Sequence, residues 1–341
     1  MAGVTDFGRC VTGFLTVYLV GERGMSDKTV KSYGLTVRAF VRHLESALGV
    51  RPESARLSDV TADVVRGFLD AVEASGCCAS TRNQRLAAVK SLVRYAVREV
   101  PEFMLEGQRI LAIPSKKVPQ REVEYLEQDA LEALLASPDL TTETGRRELA
   151  LMSMLYDSAA RVQELIGLQI GDVRLGPLAC ATIHGKGNKF RTVPVMESTA
   201  AHIARHLEDR SLPRDGSRSS LRLFCSPGRS CYTRQGIAKM LERHLERARA
   251  ANPEIWFPEG IHPHMLRASK AIHLLDAGVN LIAIRDFLGH SSIVTTQKYL
   301  RVNSRTKMET VAAIAPRIEV PAPPDWKNDS DLMEFLNRIC S

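Results

Sequence analysis

The sequence is poor in cysteine, and its cysteines lack the spacing of a zinc site. Seven cysteines occur in 341 residues, at positions 10, 77, 78, 180, 225, 231 and 340. There is no CxxC pair, and a disulfide between the adjacent cysteines 77 and 78 would be strained. An odd number of cysteines without paired ligands is typical of free thiols in a reducing cytosol. We therefore predict a cytoplasmic protein without a bound metal.

Long apolar runs are also missing. The best apolar stretch, residues 11–20, contains threonine and tyrosine and is too short to cross a bilayer. The N-terminus has no basic segment followed by an apolar block and a small-residue cleavage site. We expect neither a secretory signal nor a membrane-spanning helix.

Acidic residues are outnumbered by basic ones. Lys and Arg total 46 against 39 Asp and Glu, which gives a net charge of +7 and a pI near 9.1. This excess favours a polyanionic partner, because neutralising phosphates releases condensed counterions, although it does not identify the partner by itself. A hydrophobic content of 44% is ordinary for a globular protein, and this length favours two domains.

The first third of the chain is predicted to be a helical domain, residues 1–112. Ser26 and Thr61 stand where helices begin, Gly76 ends the second helix, and Ser80 is interpreted as the cap of a third helix that closes before Pro101. The following ten residues, 113–122 (IPSKKVPQRE), hold two prolines and three basic residues and are predicted to be a linker.

A stripe of basic residues follows the third predicted helix. Lys90, Arg94 and Arg98 recur every four residues beside its apolar face. The stripe could be a solvated surface or a contact to the DNA backbone, and both interpretations stay open.

The second domain is predicted over residues 123–314, followed by an arm and a short helix over 315–341. Segment 178–195 has β-rich arms around a Gly-Lys-Gly-Asn turn, which predicts a hairpin. The arm is rich in proline, and Ser330 could cap the last helix. The expected fold is mainly α-helical with a small β-sheet or hairpin, and its other predicted helices cover 127–136, 144–157, 234–250, 263–276, 281–287 and 293–302.

The helix predicted from residue 234 is strongly basic. Thr233 is a candidate N-cap, and Arg234, Lys239 and Arg243 follow along the helix. Such a helix could enter a major groove of DNA, or its charges could simply be solvated.

Segment 262–300 offers a set of groups suited to breaking a phosphodiester. The transition state carries extra negative charge that fixed cations must meet, and Arg does so with a planar fork. Pro263 can begin a helix, which places His264 and Arg267 on one face. His290 follows a glycine turn, and Tyr299 comes nine residues later. Each residue alone would more often be a packed or surface residue, so the ordered set carries the argument.

This segment resembles the C-terminal signature of the tyrosine recombinases, the phage-integrase and Xer-type family. Two upstream segments add to the resemblance. SAARVQELIGLQIGDV is similar to the first-arginine box, with Arg161 and Glu164 in place. IHGKGNKFRTVPV is similar to the family's hairpin, with Lys186 at the lysine position and Lys189 nearby. The matching signature residues are Pro263, His264, Leu266, Arg267, Gly278, Leu288, Gly289, His290, Thr295, Thr296 and Tyr299.

One departure from the family pattern lies before the first arginine. Ala159 and Ala160 stand where glycine and leucine are usual. Alanine tolerates a positive φ poorly, so this backbone is expected to be tighter than in the family.

The resemblance implies a two-step transesterification that needs no cofactor, metal or ATP. Tyr299 would attack the scissile phosphate and form a 3′-phosphotyrosyl link, which a 5′-hydroxyl of the partner strand would then resolve. Arg161 and Arg267 would clamp the non-bridging oxygens, and His290 would donate a hydrogen bond. Lys186 would be the general acid, and His264 would assist proton transfer from the tyrosine. Glu164 would orient Arg161 or cap a helix.

The resemblance also implies four protomers on two sites of double-stranded DNA, with a monomer or dimer off DNA and a nucleoid-associated location. Two other functions stay open, a type IB topoisomerase and a non-catalytic DNA-binding regulator. Integration, excision, resolution and transposition all stay open as the biological role.

Overall fold

The chain divides into two compact units, residues 1–121 and 122–341. The computed structural model describes residues 4–119, 122–185, 189–210, 212, 216–226, 228, 231–290, 292–301 and 332–340. Lys186, the turn at 186–188, the arm at 315–325 and Ser330 lie outside the described residues. Across the part of the chain that is described, no helix is long and apolar enough to cross a membrane.

The first unit is helical throughout its regular elements. Its helices are α1 (Asp6–Gly13), which continues into a π-helical segment (Phe14–Glu22), α2 (Asp27–Leu48), α3 (Ala62–Ala74), α4 (Ala79–Glu99) and α5 (Met104–Leu111), with 3-10 turns at Leu57–Asp59 and Pro101–Phe103. Aromatic and aliphatic side chains from these helices form one core, which includes Phe14, Phe40, Leu44, Phe68, Leu69, Leu86 and Leu92.

The predicted N-cap residues of α2 and α3 are confirmed, whereas the predicted N-cap of α4 is wrong. The hydroxyls of Ser26 and Thr61 accept hydrogen bonds from the first turns of α2 and α3, and Gly76 has a φ of 85°. However, α4 begins at Ala79, so its N-cap is Cys78 and the prediction of Ser80 is wrong. The extended backbone at Cys78 starts the helix two residues before the serine, and cysteine is not a typical capping residue.

The second unit combines helices with one small sheet. Its elements are α6 (Gln128–Ala136), α7 (Glu143–Ser158), α8 (Val162–Gly167), β1 (Val173–Arg174), β2 (Cys180–His184), β3 (Phe190–Pro194), α9 (Glu197–Glu208), α10 (Arg234–Ala251), α11 (Pro263–Asp276), α12 (Leu281–Leu288), α13 (Val294–Gln297) and α14 (Leu332–Cys340), with 3-10 turns at Ile170–Asp172, Gly216–Ser220 and Lys298–Arg301. A mainly helical fold with a small sheet is therefore confirmed.

The sheet is antiparallel, in the order β1-β2-β3. Ile183 pairs with Arg191 across the predicted hairpin, and Gly185 N donates to Lys189 O at 2.7 Å where the hairpin turns. Ala181, Ile183 and Val193 are buried in the core of the unit. Strand β1 was not predicted, because two residues are too few to show an alternating pattern.

One predicted helix is broken into two short elements. The segment predicted as a helix over 293–302 consists of α13 and then the 3-10 turn Lys298–Arg301. Its first residues, Ile293, Val294, Thr295 and Thr296, are all β-branched and lose side-chain freedom in a helix. This short connection carries Tyr299.

Helix α7 belongs to the core of the second unit and ends shortly before Arg161. It packs against α9 and α11, and Leu151, Met152, Met154 and Leu155 are all fully buried. All seven residues of the stretch 149–155 are buried, so this part of the helix is covered on every side, as in a core helix. The chain that leaves its C-terminal end therefore starts from a rigid position.

Candidate active site

The residues that follow α7 turn sharply before α8. Ala159 has a φ of 44° and is the one non-glycine residue with positive φ among those described. Arg161 then becomes the N-cap of α8. Glu164 accepts a hydrogen bond from Arg161 N at 3.0 Å and another from its guanidinium at 2.8 Å. Glu164 therefore contacts both the start of α8 and the side chain of Arg161.

Arg267 lies on α11 and is completely buried. Its guanidinium donates to Ala159 O at 2.5 Å and to Leu288 O at 2.6 Å. Its Nε has no hydrogen-bond partner, and no carboxylate pairs with it among the described residues. Burial, together with the charges of Arg161 and Arg191, lowers the pKa of Arg267 to about 10. A buried cation without an anion is costly, and such groups are concentrated at functional sites, so Arg267 is a candidate functional residue.

Two histidines lie in the same positive field. His264 is in the first turn of α11, after His262 at the N-cap. Part of this residue is exposed to solvent, yet its partial burial, followed by the charges of Lys298 and Arg267, lowers its pKa to about 4. His290 follows the glycine that ends α12. Burial, then Arg267 and Arg161, lower its pKa to about 4 as well. Both imidazoles are therefore neutral at pH 7.

The side chain of His290 is held by one hydroxyl. Its Nδ1 lies 2.8 Å from Thr296 Oγ1, and Thr296 is fully buried on α13. This contact occupies Nδ1, so Nε2 is the ring nitrogen left to meet a ligand.

Tyr299 is fully buried in this structure. Its ring packs in a cluster with Ala159, Ala268, Ile272 and Leu288, and its hydroxyl has no hydrogen-bond partner among the described residues. Burial raises the pKa of Tyr299, while Arg267 and Arg161 oppose that rise. The hydroxyl is therefore protonated at neutral pH and lies within the electrostatic field of the two arginines.

Two further cations of this site were missed from the sequence. Lys298 holds its ammonium 4.9 Å from the centroid of the Tyr299 ring. Arg191, on β3, donates to Glu164 at 2.8 Å and to Phe287 O at 3.1 Å. A basic residue beside the tyrosine and another in a strand carry no distinguishing sequence signal by themselves.

The described part of the chain therefore brings five predicted residues into one electrostatic cluster: Arg161, His264, Arg267, His290 and Tyr299. Lys186 lies outside the described residues, and the exposed Lys189 contributes its carbonyl to the hairpin. In the described ranges, no three His, Cys, Asp or Glu side chains form a group that could hold a metal.

The basic stripe on α4 is partly engaged within its own unit. Lys90 Nζ donates to Ile113 O at 2.6 Å. Arg98 pairs with Glu22 at 2.8 Å and with Glu99 at 3.0 Å, whereas Arg94 is exposed. Of the three, Arg94 is thus the side chain most available to a ligand.

Helix α10 starts as predicted, but its basic residues differ in their surroundings. Thr233 Oγ1 accepts from Gly236 N at 3.0 Å, and Arg234 and Lys239 are exposed. Arg243 instead bonds the carboxylate of Glu148 on α7 at 2.6 Å and 2.7 Å. Its charge is therefore largely used inside the unit.

Both units match known protein families. Residues 124–306 match the model of the phage integrase family, and residues 12–100 match its N-terminal SAM-like domain. A relative from Sinorhizobium fredii, named as an integrase/recombinase (y4rC), is 33% identical over 329 residues, covering 96% of both chains. The tyrosine recombinase XerC of Pelobacter propionicus is 30% identical over 307 residues, covering 90% of this chain and 95% of its own.

Solved structures show the same fold. The XerH site-specific recombinase in a post-cleavage complex with its difH substrate aligns with a TM-score of 0.66 at 22% identity, over 86% of this chain and 81% of that chain. A λ integrase dimer bound to a core site aligns with a TM-score of 0.59 at 17% identity, over 87% and 96% of the two chains. With the family matches of both units, these findings show that the chain belongs to the phage integrase family and is a tyrosine recombinase, an enzyme of site-specific recombination.

Proposed function

We propose that the cation cluster binds the scissile phosphodiester of double-stranded DNA. The observation that carries the proposal is the buried guanidinium of Arg267, which has two carbonyl partners but no anion. A phosphate would supply that anion, and the guanidinium fork suits two of its oxygens. Arg161 lies in the same field, and its side chain is 43% exposed.

The chemical step is an attack by the Tyr299 hydroxyl on the phosphorus. The P–O bond to the leaving oxygen breaks, and a 3′-phosphotyrosyl link forms. Arg161 and Arg267 stabilise the added charge, each by roughly 2–4 kcal/mol, in analogy to one oxyanion donor. His290 donates from Nε2, and Lys186 protonates the 5′ oxygen that leaves.

His264 accepts the tyrosine proton in this scheme. It is neutral because burial and neighbouring cations lower its pKa, and a neutral imidazole can act as a base. The bound phosphate adds a negative charge that raises this pKa again, so the histidine becomes a better base in the complex. Because Tyr299 and Arg267 are both fully buried, the residues that cover them must move before either side chain contacts the phosphate.

The second step joins a different strand. A 5′-hydroxyl from the partner duplex attacks the phosphotyrosyl link, restores the backbone and releases Tyr299. The phosphoester bond is exchanged rather than hydrolysed, so no ATP is needed. The cations Arg161 and Arg267 already meet the phosphate charge, so we also propose that no metal takes part.

The helical unit and α10 would hold the DNA around the catalytic site. Arg94 on α4, and Arg234 and Lys239 on α10, are exposed cations suited to phosphates or base edges. Residues 1–112 would be the core-binding domain, 113–122 the linker and 123–314 the catalytic domain. A nucleoid-associated, cytoplasmic location is the corresponding proposal for the cell.

We further propose that four protomers assemble on two DNA sites and that residues 315–341 link them. Helix α14 carries Leu336 and Ile339, both exposed, and a nine-residue helix is marginal without a surface to pack against. Truncation after Val320 should preserve single-site binding and reduce synapsis and recombination. Equal recombination by the truncated chain would refute the linking role.

Joining between two DNA molecules is the experiment that tests this function. Two duplexes with different labels, each carrying a site recovered by selection, should exchange strands in excess EDTA without ATP. Relaxation of supercoiled DNA without exchange would indicate a topoisomerase. Binding without any covalent complex on a nicked suicide duplex would indicate a regulator, and either outcome would contradict the proposal.

A further inference from the structure

Arg191 connects three separate parts of the second unit. It lies on β3 opposite Ile183, and its side chain is only 11% exposed. One guanidinium nitrogen bonds Glu164 on α8 at 2.8 Å, and Nε bonds Phe287 O near the end of α12 at 3.1 Å. A single planar group thus joins the hairpin to two other elements.

The contact with Glu164 leads to Arg161. The two carboxylate oxygens of Glu164 hold both arginines, because Oε1 bonds the Arg161 guanidinium at 2.8 Å while Oε2 bonds Arg161 N at 3.0 Å and Arg191 at 2.8 Å. Burial raises the pKa of Glu164, but the hydrogen bonds from Arg191 and Arg161 outweigh burial and hold it below its usual value. The carboxylate is therefore a charged bridge between the two side chains.

The contact with Phe287 O leads to His290. Gly289 ends α12 with a φ of 64°, and a Cβ at that position would come within 3.1 Å of Arg191 Cδ. The side chain of Arg191 therefore packs directly against the turn that carries His290. Leu288, which lies between Phe287 and Gly289 in the chain, supplies a carbonyl that accepts a hydrogen bond from Arg267.

The side chain of Arg191 also lies near Gly185, where the turn of the hairpin begins. A Cβ at Gly185 would lie 3.8 Å from the Arg191 guanidinium and 3.9 Å from Glu164. Displacement of the hairpin would thus act on the carboxylate and on the His290 turn through one side chain.

We propose that Arg191 is a positioning residue that fixes Arg161, through Glu164, and the His290 turn relative to the hairpin. The proposal rests on the proposed roles of Arg161 and His290. Arg191 bonds other protein groups through two of its nitrogens, so it acts on the phosphate by orienting these residues. Loss of one such clamp should reduce the cleavage step and leave DNA binding nearly unchanged.

The test compares full-length Arg191→Ala and Arg191→Lys in single-turnover cleavage of a suicide duplex. Arg191→Ala should lower the cleavage rate about 100-fold, the size expected for one misplaced oxyanion donor, with the dissociation constant within about threefold of wild type. Arg191→Lys keeps the charge and should fold, but an ammonium cannot reproduce the planar fork. Its rate should fall between those of the alanine variant and wild type.

Modified scissile groups separate positioning from a general loss of structure. A methylphosphonate lacks one charged oxygen, so its transition state needs less charge stabilisation from Arg161. The loss of cleavage rate in both Arg191 variants, relative to wild type, should therefore shrink to below about tenfold on this substrate. A bridging 5′-phosphorothiolate needs no general acid and should leave the deficit unchanged. Arg161→Ala should show the same pattern, and Arg174→Ala, an exposed arginine of β1, should behave as wild type.

The outcomes distinguish this inference from the proposed function. Equal rates for Arg191→Lys and wild type, or a deficit that methylphosphonate leaves unchanged, would overturn the role of Arg191 while Arg161→Ala stays defective. Full activity of Arg161→Ala would contradict the proposed function instead. A double variant, Arg191→Ala with Glu164→Ala, should lose less than the product of the two single losses, because both changes disturb the same route to Arg161, and fully multiplicative losses would refute the route through Glu164.

Discussion

The guanidinium of Arg267 donates to the carbonyl of Ala159 at 2.5 Å, and that carbonyl belongs to a residue in the left-handed conformation. The sharp turn after α7 thus directs a backbone acceptor to the buried cation. The same turn leads to Arg161 two residues later. One strained position therefore contributes to the placement of both arginines.

The backbone strain at Ala159 can be measured by comparing glycine substitutions at Ala159 and at the adjacent Ala160. A left-handed alanine costs roughly 1–2 kcal/mol, which glycine would remove. Ala159→Gly also loses a buried methyl worth about 0.8 kcal/mol, and glycine gives the unfolded chain more conformational entropy. The net change in the free energy of unfolding should therefore be near zero. Ala160→Gly, equally buried but without positive φ, should lower the free energy of unfolding by about 1–2 kcal/mol. Equal losses in urea denaturation would show that Ala159 is not strained.

Much of the candidate site could be predicted from the sequence, because its residues stand in short motifs with characteristic internal spacing. Arg161, His264, Arg267, His290 and Tyr299 could be named from local motifs and the family resemblance. The alanine pair before Arg161 was recognised as a departure from the family pattern, but the positive φ that Ala159 nevertheless adopts was not predicted.

The contacts between distant segments could not be predicted. Arg191 meets Glu164 across 27 residues and Phe287 across 96, and no local pattern records such pairs. Arg243 was a candidate DNA contact, yet it pairs with Glu148, 95 residues away. Periodicity identifies the exposed or buried face of a helix, but it does not identify the partner on another element.

Arg267 should not be replaceable by lysine. An ammonium cannot bond both Ala159 O and Leu288 O and still present a fork to the phosphate. Arg267→Lys should lower single-turnover cleavage by roughly 10²–10³-fold with DNA binding little changed. Arg205→Lys, an exposed arginine of α9 paired with Glu208, is the control and should cleave normally. A drop of less than about threefold for Arg267→Lys would remove Arg267 from the phosphate clamp.

The histidines of the site should titrate at low pH until DNA binds. Burial and the neighbouring cations give His264 and His290 a pKa of about 4. In the Tyr299→Phe variant, a bound phosphodiester should raise both pKa values by about one unit or more, because an anion favours the charged form. NMR of labelled histidines measures this. His206 also has a pKa of about 4, caused chiefly by burial, and should not respond to DNA.

The same shifts have a consequence for stability. A histidine whose pKa is lower in the folded state contributes stability that is lost as pH falls through the unfolded value of about 6.5 towards 4. A midpoint near 6.5 for both site histidines in the free protein would show that burial and the cation cluster do not act on them.

Two basic residues of α10, at its start and at its middle, should differ in their effects on DNA. Arg234 is exposed, so Arg234→Ala should relax base preference at one position by about 1–3 kcal/mol. Arg243→Ala removes the partner of Glu148 and should lower stability while base preference stays intact. Footprinting across sequence variants, together with denaturation, separates these effects. Uniform weakening by Arg234→Ala would mean that it touches only phosphates.

The covalent bond between Tyr299 and DNA is the central claim, and mapping it is the most direct test. The wild-type protein should form an adduct on a suicide duplex, and mass spectrometry should find the nucleotide on the peptide that contains Tyr299. Tyr299→Phe should bind the duplex normally and form no adduct. An adduct in that variant, or a nucleotide on Tyr156 or Tyr232, would contradict the account.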